Sequence, residues 1–139
     1  MLNRIWAPLA LATLALATGA VAQTTPAKAP EPESHGRTLS QWIADLKGLA
    51  PQTRNAAAYE IAGMGPAAVT AVPALIEALD DPSPAVRFPV TVALGEIGPG
   101  AKAAVPRLQQ MVEQELNDEI AASARRALRH IAPAAVPTE

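Results

Sequence analysis

A period of 33 residues runs through most of this chain and limits what it can fold into. Three features recur at that interval: an arginine, a Gly-Pro pair and a Val-Pro pair. They are Arg54 and Arg87, Gly65-Pro66 and Gly98-Pro99, and Val72-Pro73 and Val105-Pro106. Apolar residues at helical spacing lie between them, interrupted by short turns. A fixed period of this length is typical of stacked helix pairs, in which each pair buries its apolar face only against its neighbours.

The period predicts an all-α fold, a short α-solenoid of about three antiparallel helix pairs. The repeats are expected at about 38–66, 67–99 and 100–133, so the solenoid covers 38–133 and residues 134–139 form a flexible tail. Thr38-x-x-Gln41 has the sequence of a capping box and is predicted to begin the first helix. The apolar stripe of that helix is predicted to comprise Leu39, Trp42, Ile43, Leu46 and Leu49, with Trp42 as the largest core anchor.

Two later helices also have recognisable start signals. Ser83 is predicted to cap one of them, with Pro84 at its first position, where the missing N–H of proline would have no partner in any case. Asn117 or Asp118 is predicted to cap the last helix.

The first 22 residues have the sequence of a secretory signal peptide. Arg4 supplies the positive charge, an apolar stretch follows, and Ala20-Val21-Ala22 is an A-x-A cleavage site. The alternative is an uncleaved leader that acts as a membrane anchor, because about 20 apolar residues span a bilayer. Cleavage after Ala22 predicts a bacterial protein that is periplasmic or secreted. Residues 23–37 are rich in Pro and Ala and are predicted to be a linker, with His35 in solvent.

The composition argues against several classes of function. The chain has no cysteine, which rules out disulfides, thiolate metal sites and a cysteine nucleophile. Its formal net charge of −2 disfavours nucleic acid as a partner, since such binding depends on neutralising phosphates. The acidic pairs Asp80-Asp81 and Asp118-Glu119 precede predicted helices and are interpreted as stabilising the helix N-termini rather than as metal ligands. With no phosphate-binding loop, zinc motif or nucleophile elbow, we expect no cofactor and no catalytic site.

Three sequence blocks of the middle repeat follow one pattern. They read Gly-Pro-x-Ala-x-x-Ala-Val-Pro-x-Leu-Ile-x-x-Leu from residue 65, Asp-x-x-Pro-x-Val-Arg from residue 81, and Ala-Leu-Gly-x-Ile-Gly-Pro from residue 93. This pattern resembles the bacterial HEAT-repeat family, including the HEAT-like repeats called PBS-lyase-like. The resemblance implies an α-solenoid that serves as an interaction surface and usually lacks catalytic activity. It also implies a structural role for Arg54 and Arg87, which would pair with acidic groups of a neighbouring turn.

One residue departs from the family pattern. Pro89 stands inside the predicted second helix of the middle repeat, where the family usually has alanine. It has no N–H to donate to the Ala85 carbonyl, and its ring clashes with that carbonyl, at a cost of about 3 kcal/mol. We expect the helix to kink here and to open the surface next to Phe88.

The second helices of the repeats carry apolar residues where the family pattern is polar. Tyr59, Val92 and Arg126 occupy equivalent positions, and Phe88 lies one turn before Val92. Since the resemblance implies that second helices line a concave surface, these four residues are the candidate partner-binding residues. The expected polar rim comprises Asn55, Thr91, Glu96 and Arg126. The alternative is that Tyr59 and Phe88 only pack against neighbouring helices, and this choice stays open, as does a binding role for the basic cluster Arg125, Arg126 and Arg129.

Three functions fit these observations. The first is an exported, non-catalytic module that binds another protein. The second is a structural component that self-associates by stacking end to end, because three repeats are close to the minimum for a stable solenoid. The third is an enzyme of the HEAT-like lyase type, against which the leader, the acidic balance and the small number of repeats all argue.

Overall fold

A computed structural model describes residues 28–136, so the predicted leader, its cleavage site and the end of the tail lie outside the described residues. Six α-helices follow in three consecutive pairs. They are α1 (Leu39–Asp45), α2 (Pro51–Met64), α3 (Val72–Ala78), α4 (Pro84–Ile97), α5 (Val105–Gln114) and α6 (Asp118–Ile131). Short 3-10 segments follow the second helix of each pair, at Gly65–Ala71, Gly98–Ala104 and Pro133–Ala135. The predicted all-α solenoid of three helix pairs is confirmed.

The second helices of the pairs form one layer. Helices α2, α4 and α6 lie side by side, while α1, α3 and α5 each pack on the second helix of their own pair. Small residues let the second helices approach closely, since a Cβ at Gly95 of α4 would lie 3.2 Å from the Cα of Ala127 in α6. Even a methyl group at position 95 would require Ala127 to move by a few tenths of an ångström.

The turns between repeats have the same construction twice. Gly65 ends α2 with a φ of 54°, and Gly98 ends α4 with a φ of 71°. Positive φ angles are easily reached only by glycine, which explains why glycine opens each Gly-Pro pair. The 33-residue period in the sequence is therefore a period in backbone conformation.

Ordered structure begins before Thr38, inside the segment predicted to be a linker. Glu33–Ser34 (β1) and Arg37–Thr38 (β2) form a short antiparallel hairpin. Its two turn residues, His35 and Gly36, have φ values of 49° and 72°, as a tight hairpin turn with two positive φ angles requires. His35 is exposed, as predicted, but its Nδ1 also lies 2.8 Å from Glu60 Oε2, so the hairpin is attached to α2.

Trp42 of α1 joins this hairpin to the first repeat. Its side chain is buried, and its indole Nε1 donates a hydrogen bond to the Ser34 carbonyl at 3.2 Å. The Arg37 guanidinium lies over the ring, 4.1 Å from the centroid, and also pairs with Asp45 at 2.6 Å. Trp42 thus packs in the core and holds the N-terminal segment in place.

The predicted helix starts were right in two of three cases. Both hydrogen bonds of the Thr38–Gln41 capping box are present, and Asn117 accepts from the backbone N–H groups of Glu119 and Ile120. Ser83 does occupy the position before α4, but its side chain makes no capping bond. The nearby Asp81 Oδ1 accepts from the Ser83 backbone N–H at 2.9 Å, which fixes the turn just before α4 but does not cap the helix.

The predicted stripe of the first helix is wrong at its end. Helix α1 stops at Asp45, and Leu49 is 101% exposed in the loop that follows. Gly48 and Pro51 bracket this position and end the helical spacing. Leu116, in the corresponding loop of the third repeat, is equally exposed at 97%.

Arg54 and Arg87 link successive repeats through bidentate ion pairs. Arg54 Nε and Nη2 lie 2.6 and 3.0 Å from the two carboxylate oxygens of Asp81. Arg87 makes the same arrangement with Glu115, at 2.9 and 3.0 Å. All four side chains are largely buried. The predicted helix-capping interpretation of Asp80-Asp81 therefore needs correction, because Asp81 binds Arg54, and Asp80 pairs with Arg107.

Each of these arginines also binds the loop of its own repeat. Arg54 Nη1 donates to the carbonyl oxygens of Gly48 and Leu49, both at 2.9 Å. Arg87 Nη1 donates in the same way to the Asp81 carbonyl at 2.9 Å. The loops of the three repeats are thus joined in a ladder of alternating arginine and acidic side chains.

The segment Pro51–Ala78 is apolar enough, with a mean hydropathy of 1.4, to resemble a membrane span by length and composition. In the structure it is divided into α2, a 3-10 segment and α3, with a positive φ at Gly65 where α2 ends. Neither helix has the roughly 20 residues that a span needs. Two of its large apolar residues, Ile61 and Leu75, are fully buried in the core of the solenoid.

The ladder of ion pairs predicts that the folded state becomes less stable in acid. The Arg54 guanidinium lowers the pKa of Asp81, and the Arg87 guanidinium lowers that of Glu115. A carboxylate with a lowered pKa in the folded state stabilises the fold above its unfolded pKa of about 4, and this contribution is lost as the pH falls through the folded pKa. We expect the free energy of unfolding, measured by urea denaturation, to decrease as the pH falls below about 4.

An Asp81→Asn variant tests the origin of that dependence. At neutral pH it should be less stable than the parent by roughly 2 kcal/mol, because it loses charge-assisted hydrogen bonds. Its stability should also fall less steeply with acid. Glu113→Gln is the matched control, since Glu113 is an exposed carboxylate with no ion pair among residues 28–136. Parallel pH profiles for the parent and Asp81→Asn would contradict the ladder as the source.

Candidate functional site

A groove of about 330 Å³ crosses the layer of second helices near the beginnings of α4 and α6. Three elements contribute to it: the middle of α2, the first turns of α4, and the start of α6. The lining residues are Asn55, Tyr59, Pro84, Ala85, Phe88, Asn117, Glu119 and Ile120.

The floor and one wall of this groove are apolar. Tyr59 is 50% exposed. Phe88 is half-buried and packs against the core, and Ile120 below it is buried. The exposed residues Asn117 and Glu119 add an amide and a carboxylate to the lining. An apolar floor with a polar rim is the usual composition of a protein-binding site.

The structure brings together only part of the predicted patch. Tyr59 and Phe88 line the same groove, whereas Val92 is half-buried and packs against the core instead. Arg126 is exposed on α6 and does not line the groove. By position within the repeat, Tyr59 of α2 corresponds to Val92 of α4. In the structure Tyr59 shares its surface with Phe88, which lies one turn before Val92 in α4.

Of the expected rim residues, Asn55 lines the groove, whereas Thr91, Glu96 and Arg126 do not. Thr91 is fully buried, and its hydroxyl is hydrogen-bonded to the Phe88 carbonyl at 2.7 Å and to Ser123 Oγ at 2.6 Å. It thus connects α4 to α6 inside the layer. Asn117 and Glu119 line the groove together with Asn55. The sequence identifies Asn117 only as a helix cap. No sequence signal predicts that this cap of α6 lies in the same groove as Phe88 of α4.

Helix α4 runs without interruption through Pro89, so the predicted kink does not appear as a break in the helix. The carbonyl that Pro89 leaves without an intrahelical donor is that of Ala85. Asn55 of α2 supplies the donor, since its Nδ2 lies 2.5 Å from the Ala85 oxygen. The Pro89 ring itself is buried. A side chain from the preceding repeat therefore compensates for the proline, and that same side chain lines the groove.

Chemical groups for catalysis are sparse in this groove. Its titratable side chains are Tyr59 and Glu119, and neither hydrogen-bonds to another side chain of the lining. Over residues 28–136 no group of three or more His, Asp or Glu residues is arranged to hold a metal ion. The geometry is suited to receiving an apolar side chain with a polar neighbour.

The link between Asn55 and Pro89 is testable by a double-mutant cycle. Asn55→Ala should lower the free energy of unfolding by about 1 kcal/mol, because the Ala85 carbonyl loses its donor. In a Pro89→Ala background, the new N–H of residue 89 satisfies that carbonyl, so the same Asn55 substitution should cost close to nothing. Urea denaturation of the four proteins gives the coupling.

Gln52→Ala serves as the control in both backgrounds, since Gln52 is an exposed α2 residue one turn before Asn55. It should have a small effect that does not depend on residue 89. Equal costs for Asn55→Ala in the parent and in the Pro89→Ala background would show that Asn55 does not compensate for the proline.

Comparison with known proteins agrees with this architecture. Among curated proteins, none matches the chain in sequence. The family model for HEAT repeats matches residues 39–129, which begins at the first residue of α1 and ends in the last turn of α6. This match spans well over half of the chain and includes all three helix pairs. The chain therefore belongs to the HEAT-repeat family.

Proposed function

We propose that this protein is an exported, non-catalytic module that binds another protein through the groove between α2, α4 and α6. HEAT repeats generally mediate protein–protein interaction. The observation that carries the proposal is the half-exposed Tyr59 beside Phe88, above the buried Ile120. Aromatic residues at the centre of an apolar patch are the usual anchors of protein interfaces.

The groove suits a side chain better than a small-molecule substrate. Its volume of about 330 Å³ is near the lower limit for ligand pockets, and it is open along the helix layer. A partner segment could place one apolar side chain against Phe88 and donate a hydrogen bond to Glu119. This favours a protein-binding module over an enzyme of the HEAT-like lyase type.

The ladder of ion pairs favours a monomeric module over a structural component that stacks end to end. The first repeat has Gly48 where the second has the acidic Asp81, and the third has Ala121 where the second has Arg87. A second copy stacked at either end would therefore lack the acidic or arginine side chain needed to form the same ion pair. The ladder begins and ends within one chain.

Export is the second part of the proposal and rests on the N-terminal sequence. We expect the protein recovered from the periplasm or medium to begin at Gln23, as measured by intact mass and N-terminal sequencing. An Ala22→Arg variant should retain the leader, because the cleavage site requires a small residue there. Recovery of the parent only in the membrane fraction, with the leader intact, would contradict cleavage.

The binding site is tested with Tyr59→Ser. The parent protein, immobilised, should capture a specific protein from the envelope fraction, which is then purified and titrated by calorimetry. Tyr59→Ser should weaken that binding roughly tenfold or more, since it removes the exposed aromatic anchor. Far-UV circular dichroism should remain that of the parent, because half of the Tyr59 side chain is already in solvent.

Val69→Ser is the matched control. Val69 is comparably exposed, at 44%, but lies in the 3-10 segment between repeats and outside the groove. It should bind as the parent does. If Tyr59→Ser and the parent bind the partner equally, the groove is not the site.

A further inference from the structure

Most cations of the described chain are neutralised by a carboxylate. The paired ones are Lys28, Arg37, Lys47, Arg54, Arg87 and Arg107. Within residues 28–136, Lys102 and three arginines of α6 have no such partner. These arginines are Arg125, Arg126 and Arg129, and they lie within five consecutive residues of one helix.

Two of the three arginines occupy positions through which one repeat contacts the next, and Arg126 lies beside them on α6. Counted from the helix starts at Pro84 and Asp118, Arg125 corresponds to Thr91 and Arg129 to Gly95. In α4, Thr91 hydrogen-bonds to Ser123 of α6, and Gly95 lies against the Ala127 backbone. The same face of α6 has no following repeat among the described residues. It is the outer face of the last described repeat, called the C-terminal end face below, and it carries guanidinium groups.

This end face also contains an unused hydrogen-bond donor. Arg125 Nε is buried and has no partner among the residues that the structure describes. A buried donor without an acceptor destabilises the protein until a bound group satisfies it. Arg129 lies in the last turn of α6, where its charge complements the helix dipole. That explanation does not extend to Arg125 and Arg126, which both lie more than one turn before the helix end at Ile131.

Carboxylates are the ligands that suit this arrangement. Arginine presents a planar fork of donors that binds a carboxylate through two parallel hydrogen bonds. Arg125 and Arg129 are four residues apart, so they project from the same face with their Cβ atoms about 6 Å apart. Acidic side chains at the same interval on another helix have the matching separation. Three charges on a chain of net charge −2 form a local patch rather than a broad basic field.

We propose that the C-terminal end face of the solenoid, defined by Arg125, Arg126 and Arg129, is a second docking surface that binds an acidic segment of a partner protein. This surface is independent of the groove at Tyr59, whose lining contains none of the three arginines. It explains why these arginines are kept free of intramolecular ion pairs while the other described arginines are paired.

The test measures binding of a fluorescein-labelled deca-glutamate peptide to the purified protein by fluorescence anisotropy. The parent should bind it saturably and more weakly as salt rises from about 50 to about 200 mM. The triple variant Arg125→Gln/Arg126→Gln/Arg129→Gln should lose roughly tenfold or more in affinity. The matched control Lys28→Gln/Lys47→Gln/Lys102→Gln removes the same charge from other exposed sites and should stay within about twofold of the parent.

Two further variants distinguish peptide binding at this surface from binding in the groove and from loss of folding. Tyr59→Ser should bind the peptide as the parent does, so a failure of the groove proposal leaves this one intact. Arg126→Gln/Arg129→Gln alters only exposed side chains and should retain the parent's circular dichroism while losing most of the affinity.

Several results would overturn the proposal. Absence of saturable peptide binding by the parent would do so, and so would equal losses in the arginine and lysine triple variants. Stronger binding to anionic vesicles or to duplex DNA than to the peptide would show that the partner class is wrong. If the arginine variant binds the peptide normally but self-associates in light scattering, the arginines serve to prevent stacking and not to bind a partner.

Discussion

The bidentate ion pairs between Arg54 and Asp81 and between Arg87 and Glu115 are the constraint on which the rest of the solenoid depends. Each arginine holds the loop of its own repeat by backbone carbonyls and the next repeat by a carboxylate. The pairs are largely buried, so breaking one leaves a charge poorly solvated. They hold α2, α4 and α6 in one register, and the groove exists because of that register.

The groove itself results from a departure from regular repeat structure. Pro89 removes one hydrogen bond from α4, and Asn55 of the preceding repeat replaces it. Helices α2 and α4 are thereby linked near their N-terminal halves, next to Tyr59 and Phe88. A proline that would bend an isolated helix thus becomes part of an interface between two repeats. The cost of the substitution is offset by a contact that no single repeat contains.

The two ends of the solenoid are finished differently. At the N-terminal end, Trp42 binds the hairpin through the Ser34 carbonyl and packs under Arg37. At the C-terminal end, arginines stand where the earlier repeats have contact residues such as Thr91 and Gly95. A face that no further described repeat covers must be compatible with water. Charged guanidinium groups meet this requirement and remain available to an acidic partner.

The sequence by itself determined the helix pairs, the Gly-Pro turns and the caps at Thr38 and Asn117, because these depend on local backbone geometry and on a repeated apolar pattern. Only the tertiary structure decided which residues share a surface. Thr91 is buried, Leu49 is exposed, Tyr59 meets Phe88 rather than Val92, and Pro89 leaves α4 unbroken. Each of these depends on the offset between neighbouring helices and on hydrogen bonds across repeats, and equivalent positions in a repeat alignment contain no information on either.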